Sequence, residues 1–319
     1  MSEGLRVFSG NANRDLAEAI CRELDTPLGD ALVDKFPDGE INLKINEDIR
    51  GADVFIVQPT CPPVNHNLME LLTLLDCARR ASAGRITAVV PYFGYARKDR
   101  KDEGRVPITA KLVANLIVTA GASRVLTLDL HAAQIQGFFD IPVDHLYARP
   151  VFQRHIVEKK LSNLVVVGPD VGAIKMARAY SKFLGAGLAI VDKRRVSGDK
   201  AEVFHVIGDV GGKNVLLVDD MIATGGSILE ATRILKTHGA ARLFVAATHP
   251  VLCGPAAERL TAAPAEEIMV ADTIPTAGKH IPGLRVVSVA PLLAEAIQRI
   301  HRSESVSSLF DPNGDRADR

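Results

Sequence analysis

The chain has 319 residues, of which 47% are hydrophobic and 24% are charged, the proportions of a globular protein long enough for two domains. Lys plus Arg and Asp plus Glu each number 38, so the net charge is zero, which argues against nucleic acid or an anionic membrane as the main partner. The absence of a C-x-x-C pair indicates neither a zinc site nor a redox pair. We expect a cytoplasmic protein, because four distant cysteines are typical of reduced thiols and the sequence shows no signal-peptide pattern and no apolar run of membrane-spanning length.

In the first half of the chain, short β-branched runs alternate with helical patterns, which predicts an α/β fold with largely parallel strands. The predicted strands are residues 5–9, 53–58, 86–90 and 125–129. The predicted helices are residues 13–24, 67–80 and 107–120. The last of these helices has an apolar stripe of Leu112, Leu116 and Ala120, and the polar segment 33–44 is predicted to be a strand or hairpin that leaves the sheet.

The second half repeats the alternation. The predicted strands are residues 164–168, 188–191, 214–219 and 242–248, and the predicted helices are residues 170–184, 226–238, 255–260 and 290–302. A faint internal repeat, in which strands 125–129 and 215–219 both end in aspartate, favours two copies of one fold. Because Arg149-Pro150 is typical of a helix start, we predict domains at 1–147 and 148–319.

The strongest functional pattern is the segment 215–227. An apolar run ends in Asp219 and Asp220, and a loop containing Thr224, two glycines and Ser227 leads into a helix. Adjacent acids can accept hydrogen bonds from ribose hydroxyls, while glycines and a helix N-terminus suit a phosphate. An ordinary strand–turn–helix connection would explain the glycines but not the acids beside the hydroxyls. The segment therefore predicts a sugar-phosphate site.

Three other polar segments have both a structural and a functional interpretation. Asp170 follows a predicted strand and could either cap a helix or bind Mg²⁺. His131 alone is more typical of a hydrogen-bonded core residue than of a magnesium ligand. The charged run 192–195 could be a solvated face, or cations on a loop that closes over a triphosphate.

The aromatic and basic segment 92–101 would suit single-stranded nucleic acid or, equally, the base and phosphates of a nucleotide. Neither a G-x-x-x-x-G-K-[ST] loop nor the protein-kinase motifs occur, so any ATP site here is of another kind.

Taken in order, several segments resemble the ribose-phosphate pyrophosphokinase (phosphoribosyl-pyrophosphate synthetase) family, in its phosphate-activated class. The segments are residues 8–13, 36–40, 91–101, 131–139, 168–173, 192–195, 219–227 and the tail 303–310. The resemblance extends over nearly the whole chain. It implies two tandem type I phosphoribosyltransferase-like domains, each a mostly parallel sheet flanked by helices. The N-terminal domain would provide ATP and oligomer contacts, and the C-terminal domain the ribose 5-phosphate loop and a regulatory tail.

The resemblance further implies a reaction in which ATP and ribose 5-phosphate give AMP and 5-phosphoribosyl 1-diphosphate, for nucleotide biosynthesis, with Mg²⁺ as cofactor. In that reaction the sugar's 1-hydroxyl attacks the β-phosphorus of ATP, which depends on alignment and charge neutralisation. The family assembles from dimers into hexamers, so a homo-oligomer is expected. Inorganic phosphate and ADP are the implied effectors.

The resemblance assigns the substrate contacts residue by residue. The ATP-binding positions, some of them reaching adenine from a neighbouring subunit, are Phe36, Asp38, Gly39, Glu40, Arg97 and Lys98. The ribose 5-phosphate positions are Arg195, Asp219, Asp220, Ala223, Thr224, Gly225, Gly226 and Ser227. Two of these depart from the family pattern, since Lys98 replaces a glutamine and Ala223 stands where aspartate is common.

The remaining implied roles are catalysis, metal binding and regulation. The implied catalytic residues are Lys193 and Arg195, and the implied magnesium ligands are His131 and Asp170. The implied allosteric positions are Arg50, Arg80, Ser305 and Ser307.

Two alternatives stay open at this point. A nucleobase phosphoribosyltransferase would explain the segment 219–227 but not the His131 segment or the doubled length. A non-catalytic regulatory homologue could have lost Lys193, Arg195 or His131, and the sequence retains all three.

Overall fold

The computed structural model of the chain describes residues 4–195 and 202–309, excluding the side chains of 193–195 and 202–204. The chain divides into two compact units. Unit 1 comprises Met1–Tyr147, Thr273–Pro275 and Ser288–Arg319, and unit 2 comprises Ala148–Asp272 and Thr276–Val287. The C-terminal helix, residues 290–301, therefore belongs to unit 1 according to the contacts it makes. The division predicted from the sequence had placed it in the second domain. The division into domains at 1–147 and 148–319 stays a prediction.

Unit 1 alternates strands and helices. Its first elements are β1 (Leu5–Ser9), α1 (Arg14–Glu23), β2 (Ala31–Lys35), β3 (Ile41–Ile45), β4 (Asp53–Val57) and α2 (Val64–Arg80). They are followed by β5 (Arg85–Val90), α3 (Thr109–Ala120), β6 (Arg124–Leu128), a 3-10 helix (Ala133–Phe138) and β7 (Val143–Leu146). The sheet has the order β1-β4-β5-β6-β7, and every neighbouring pair is parallel.

The polar segment predicted to leave the sheet does so. Strands β2 and β3 form a separate antiparallel hairpin in which Val33 lies opposite Leu43. Val33, Leu43 and Ile45 are partly buried against the core of unit 1. The hairpin is therefore anchored by its apolar side chains, and its tip, residues 36–40, extends beyond its two strands.

The apolar stripe of Leu112, Leu116 and Ala120 is not the buried face of α3. Leu112 and Leu116 are 55% and 38% exposed, and the buried residues of the helix are Ala110, Val113, Ala114 and Ile117. These four follow the i, i+3, i+4, i+7 spacing, but both sides of this helix are apolar, so periodicity alone could not decide between them.

Unit 2 contains a larger sheet. Its first elements are α4 (Arg149–Glu158), β8 (Leu164–Gly168), α5 (Ile174–Leu184), β9 (Gly187–Arg195), β10 (Glu202–Ile207) and β11 (Asn214–Ile222). They are followed by α6 (Gly226–Thr237), β12 (Arg242–Pro250), α7 (Ala256–Thr261), β13 (Glu267–Ala271) and β14 (Leu284–Val287). The chain continues in α8 (Ala290–His301) and a 3-10 turn (Ser307–Leu309), both in unit 1.

The sheet of unit 2 has the order β10-β9-β8-β11-β12-β13-β14 and is parallel except for the β9–β10 pair. Helices flank the parallel strands of both units, which confirms the predicted α/β class. Strand β11 lies inside this sheet with Val215 to Val218 fully buried, so its polar carboxyl end emerges directly from the core. Within residues 4–195 and 202–309, no helix has the length and apolar character of a membrane span.

Candidate active site

The acid pair lies at the carboxyl end of β11. Asp219 and Asp220 are half-buried, directly after the fully buried Val218, and the backbone N–H of Asp220 donates to Asp219 Oδ1 at 2.9 Å. Because β8 and β12 run parallel to β11 on either side, the three carboxyl ends open at one edge of the sheet. Ligands of open parallel sheets bind at this kind of edge.

Negative charge accumulates at this edge. Burial raises the pKa of Asp219 well above its ordinary value, and the negative charges of Asp220 and Asp170 raise it further. Asp170 follows β8, the strand next to β11. A hydroxyl donor or a cation would stabilise ionised Asp219, which makes this cluster suitable for ribose hydroxyls or a divalent metal.

The loop after the acids turns sharply into α6. Gly225 has φ 73°, in the left-handed region, and a Cβ built on it would lie 3.4 Å from the carbonyl oxygen of Ala256. Thr224 and Ser227 are exposed on either side of this glycine. The first turn of α6 thus presents backbone N–H groups and two hydroxyls, as an anion site requires.

Arg259, which the sequence analysis did not identify, contacts this loop. Its Nη1 donates to the carbonyl oxygen of Thr224 at 3.2 Å, and it would lie 3.3 Å from a Cβ added to Gly226. Arg259 belongs to α7, which packs against α6. A guanidinium therefore lies beside the phosphate-type turn.

Asp170 caps the first turn before α5, which was the structural interpretation of this residue from the sequence. Its Oδ1 accepts a hydrogen bond from the backbone N–H of Ala173 at 3.1 Å, and α5 begins at Ile174 rather than at the predicted residue 170. The residue is exposed, and a carboxylate has further lone pairs, so this bond leaves it able to bind a metal.

The hairpin tip of unit 1 is organised by its own backbone. The N–H of Phe36 donates to the carbonyl of Glu40 at 2.8 Å, the N–H of Gly39 donates back to that of Phe36 at 2.9 Å, and the N–H of Glu40 donates to Asp38 Oδ1 at 3.0 Å. Phe36 is 47% exposed. An exposed aromatic ring on an ordered turn is suited to stacking on a flat ligand.

Two predicted segments meet at the carboxyl edge of the sheet in unit 1. Arg97 and Lys98 are exposed after β5, and His131 is exposed after β6. A hydrogen bond of 3.2 Å from Gln134 Nε2 to Asp99 Oδ2 joins the two segments. Lys98, the departure from the family pattern, lies 3.7 Å from the Asp102 carboxylate.

The interpretation of His131 as a core residue was wrong, since its side chain is exposed. The buried histidine near this place is His145, whose Nε2 accepts a hydrogen bond from the Leu130 N–H at 2.9 Å. Between the end of β6 at Leu128 and His131, Asp129 has φ 36°, a positive value that is uncommon for a residue other than glycine.

The predicted catalytic cations lie at the end of β9. The backbone of Lys193 pairs with Phe204, and that of Arg195 pairs with Glu202. Their side chains, and the loop 196–200 that follows them, lie outside the described residues. Strand β9 therefore extends four residues beyond the predicted end at 191.

The residues of unit 2 are compatible with magnesium. No group of three or more His, Cys, Asp or Glu side chains is arranged to hold a metal among the residues described. Mg²⁺ commonly binds one or two carboxylates together with substrate phosphates and waters, and Asp170, Asp219 and Asp220 supply such oxygens. His131, the other predicted ligand, belongs to unit 1.

The predicted allosteric residues all belong to unit 1. Arg80 forms an exposed pair with Asp76 at 2.6 Å, and the N–H of Gly51, next to Arg50, donates to the carbonyl of Ser82 at 2.8 Å. Ser305 Oγ accepts from the N–H of Ser307 at 3.2 Å. The segments that contain Arg50 and Arg80 are therefore neighbours.

A polar network brings the end of α8 to the same region. Arg85 Nε donates to Asp53 Oδ1 at 2.8 Å, and its Nη2 donates to the carbonyl of Ile300 at 2.8 Å. His301 Nδ1 lies 2.8 Å from Asp53 Oδ2. The tail that contains Ser305 thus starts beside the amino ends of β4 and β5.

Two of the four cysteines are unsuited to nucleophilic chemistry. Cys21, Cys61, Cys77 and Cys253 are unpaired. Burial raises the pKa of the Cys21 and Cys61 thiols to about 11, so both stay protonated at neutral pH.

Comparisons with known proteins identify the family of the chain. Residues 5–121 match the N-terminal domain of ribose phosphate pyrophosphokinase, and residues 195–311 match the phosphoribosyl synthetase-associated domain. The chain is 60% identical over 310 residues to the ribose-phosphate pyrophosphokinase of Rhodopirellula baltica, covering 96% of this chain and 98% of the relative. It is 53% identical over 312 residues to that of Ralstonia nicotianae, covering 97% and 99%.

A solved structure agrees as well. The phosphoribosylpyrophosphate synthetase from Mycobacterium smegmatis superposes with a TM-score of 0.90 at 42% identity, covering 94% of this chain and 100% of that one. This match confirms the two phosphoribosyltransferase-like domains predicted for the fold. Because the relatives match over nearly their full lengths, neither alternative from the sequence is favoured, and the chain belongs to the ribose-phosphate pyrophosphokinase family.

Proposed function

We propose that this protein transfers the diphosphoryl group of ATP to the 1-hydroxyl of ribose 5-phosphate, giving 5-phosphoribosyl 1-diphosphate and AMP. The main support is the acid pair and glycine turn at the end of β11, in a chain that is 60% identical to a ribose-phosphate pyrophosphokinase over 310 residues. The product would supply nucleotide biosynthesis.

The acceptor sugar would lie on the carboxyl edge of the sheet in unit 2. Asp219 and Asp220 would accept hydrogen bonds from the ribose 2- and 3-hydroxyls, which would stabilise the unfavourable charge on Asp219. The 5-phosphate would bind the N–H groups of residues 223–227 and the hydroxyls of Thr224 and Ser227. This contact depends on the backbone, so Ala223 is compatible with it.

The donor ATP would contact unit 1. Phe36, Asp38, Gly39 and Glu40 of a neighbouring subunit would hold the adenine, and Arg97 and Lys98 would contact the nucleotide. The sugar's O1 would bond to the β-phosphorus as the 1-hydroxyl releases its proton to solvent. The bond from the β-phosphorus to the α,β-bridging oxygen would break, and AMP would leave with that oxygen. Lys193 and Arg195 would stabilise the charge of the transferring group, Arg195 through a planar fork suited to phosphate oxygens.

Magnesium is the proposed cofactor, held by Asp170 and His131 together with phosphate oxygens. When bound, Mg²⁺ would neutralise phosphate charge and draw electron density from the reacting phosphorus. Asp170 has an exposed carboxylate near the charge of Asp219, which supports this assignment.

Regulation and assembly complete the proposal. Inorganic phosphate and ADP would act at an effector site that includes Arg50, Arg80, Ser305 and Ser307, whose segments belong to unit 1. The assembly would be a homohexamer built from dimers, since the adenine contact requires a second subunit. The protein would act in the cytoplasm.

The test measures AMP formation from ATP by the purified protein. AMP should form only when Mg²⁺ and ribose 5-phosphate are both present, and inorganic phosphate should raise the rate. An absence of ribose-dependent AMP would instead favour a non-catalytic homologue. Release of diphosphate from 5-phosphoribosyl 1-diphosphate and a nucleobase would favour a nucleobase transferase.

A further inference from the structure

A buried carboxylate outside the proposed substrate sites organises the loop after β1. Glu70 on α2 is 1% exposed. Its Oε1 accepts hydrogen bonds from the backbone N–H of Asn11 at 2.6 Å and from Gln58 Nε2 at 2.7 Å, and its Oε2 accepts one from Asn11 Nδ2 at 2.9 Å. Such a charge is stable in the interior only when donors surround it. Asn11 supplies two of these three hydrogen bonds, and His66 Nε2 lies 3.7 Å from Oε2 as a further neighbour.

The second member of this network, Gln58, fixes the same loop. Gln58 is fully buried after β4, and its Oε1 accepts a hydrogen bond from the Ala12 N–H at 3.1 Å. The loop passes so closely that a Cβ on Gly10 would lie 2.3 Å from this oxygen. Residues 10–12 are therefore held by both Glu70 and Gln58.

The loop in turn contacts the hairpin. Asn11 Nδ2 donates to the carbonyl oxygen of Val33 in β2 at 3.0 Å, as well as to Glu70. One amide group thus connects a buried carboxylate to the backbone of a hairpin that belongs to neither sheet. A lone two-stranded hairpin has little stability of its own, so its orientation depends on contacts of this kind.

The position of this contact is important for the tip. Phe36 follows Val33 by three residues, about 10 Å along an extended strand. Rotation of the hairpin about its base would therefore move Phe36, Asp38 and Glu40 away from a bound nucleotide. The apolar packing of Val33 and Leu43 restrains the hairpin but has no directional hydrogen bond.

We propose that Asn11, held by Glu70 and Gln58, is a positioning residue that sets the orientation of the β2–β3 hairpin for ATP binding. The inference rests on the proposed function, in which the hairpin tip contacts adenine. Asn11 itself touches no substrate and acts through Val33.

The test is Asn11→Ala in the full-length protein, with steady-state kinetics for both substrates. We expect the KM for ATP to rise about tenfold, with kcat and the KM for ribose 5-phosphate within about twofold of the parent. Binding of α,β-methylene-ATP should weaken by a similar factor. Asn11 is exposed, so the variant should fold. Arg14→Ala, which removes only an exposed pair with Glu18 at 2.9 Å, is the matched control and should leave both KM values unchanged.

Phe36→Ala separates this inference from the proposed function. If the parent protein makes no ribose-dependent AMP, the proposed function fails. If the parent is active and Phe36→Ala raises the KM for ATP while Asn11→Ala does not, the positioning role is overturned. It is also overturned if Phe36→Ala has no effect, or if Asn11→Ala changes both KM values and kcat together with a lower melting temperature. In the double variant, the two effects on ATP should be less than additive.

Discussion

Arg259 Nη1 donates a hydrogen bond to the carbonyl oxygen of Thr224 across 3.2 Å, and this bond connects α7 to the turn that begins α6. The same turn contains Gly225 in the left-handed conformation. The phosphate-type loop therefore has two constraints, one from its own backbone and one from a side chain of the neighbouring helix. Each constraint can be removed separately.

Replacing Arg259 with alanine should weaken ribose 5-phosphate binding. The loop loses its hydrogen bond to Thr224 and a nearby positive charge, so we expect the KM for ribose 5-phosphate to rise about tenfold with little change in the KM for ATP. Arg233→Ala removes an exposed arginine from α6 and should leave the kinetics unchanged. Equal effects of the two variants would show that Arg259 has no specific role at the loop.

Alanine at Gly225 should strain the loop itself. A non-glycine residue in the left-handed region costs about 1–2 kcal/mol, and the added Cβ would meet the carbonyl of Ala256 at 3.4 Å. We expect lower stability to urea and a raised KM for ribose 5-phosphate. Gly212→Ala is the control, because Gly212 has φ 67° with open space around it. It should lose comparable stability without a kinetic change, and a kinetic change there would contradict a local cause.

The strands could be predicted from the sequence where nearly all of their residues are buried. Strands 5–9 and 164–168 were predicted to the residue, because both are short, mainly apolar runs bounded by glycine and polar residues. Strand 267–271 is equally buried and equally short but was missed, and its four apolar residues, 268–271, are flanked by acidic residues on both sides. The apolar stripe of α3 did not identify its buried face, because both sides of this helix are apolar.

Some residues of the candidate site could be predicted from the sequence and others could not. The acid pair and the glycine turn are contiguous in the sequence, so a local pattern revealed them. The hydrogen bond from Arg259 to Thr224 joins residues 35 apart, and that from Asn11 to Glu70 joins residues 59 apart. Neither arginine nor glutamate has a distinctive local context there, and only the fold brings these partners together.

The raised pKa of Asp219 predicts that this residue reduces stability at neutral pH. A folded-state pKa above the ordinary value of 3.8 means that the folded protein binds the proton more tightly than the unfolded chain. The stabilisation that comes from this tighter proton binding is fully present below pH 3.8, where Asp219 is protonated in both states. It is lost as pH rises through the folded-state pKa, because the carboxylate then becomes charged in a buried site. Without Mg²⁺ or substrates, Asp219→Asn should melt at a higher temperature than the parent at pH 7.5. The difference should shrink as pH falls toward 4.

Asp209→Asn is the control, because the pKa of Asp209 is shifted in the opposite direction to that of Asp219. The hydrogen bond from Lys213, followed by that from the Gly211 N–H, lowers the pKa of Asp209, so its ionised form is the favoured one in the folded protein. Its asparagine variant should gain no stability at pH 7.5. Asp219→Asn should also raise the KM for ribose 5-phosphate at least about tenfold, because an ionised acceptor is lost. A more stable variant with unchanged kinetics would exclude Asp219 from the sugar site.

Lys193 and Arg195 should act mainly in the transition state. Both lie in the last three residues of β9, and in the proposed function they would provide the cations that stabilise the transferring diphosphoryl group. Lys193→Ala and Arg195→Ala should each lower kcat by several orders of magnitude while binding of α,β-methylene-ATP changes little. Lys279→Ala, which removes an exposed lysine elsewhere in unit 2, is the control and should retain the parent rate. Loss of a cation that binds the ground state and the transition state equally would raise KM and leave kcat unchanged. A raised KM with an unchanged kcat in Lys193→Ala would therefore assign Lys193 to substrate binding. AMP formation by Lys193→Ala at the parent rate would remove it from the mechanism.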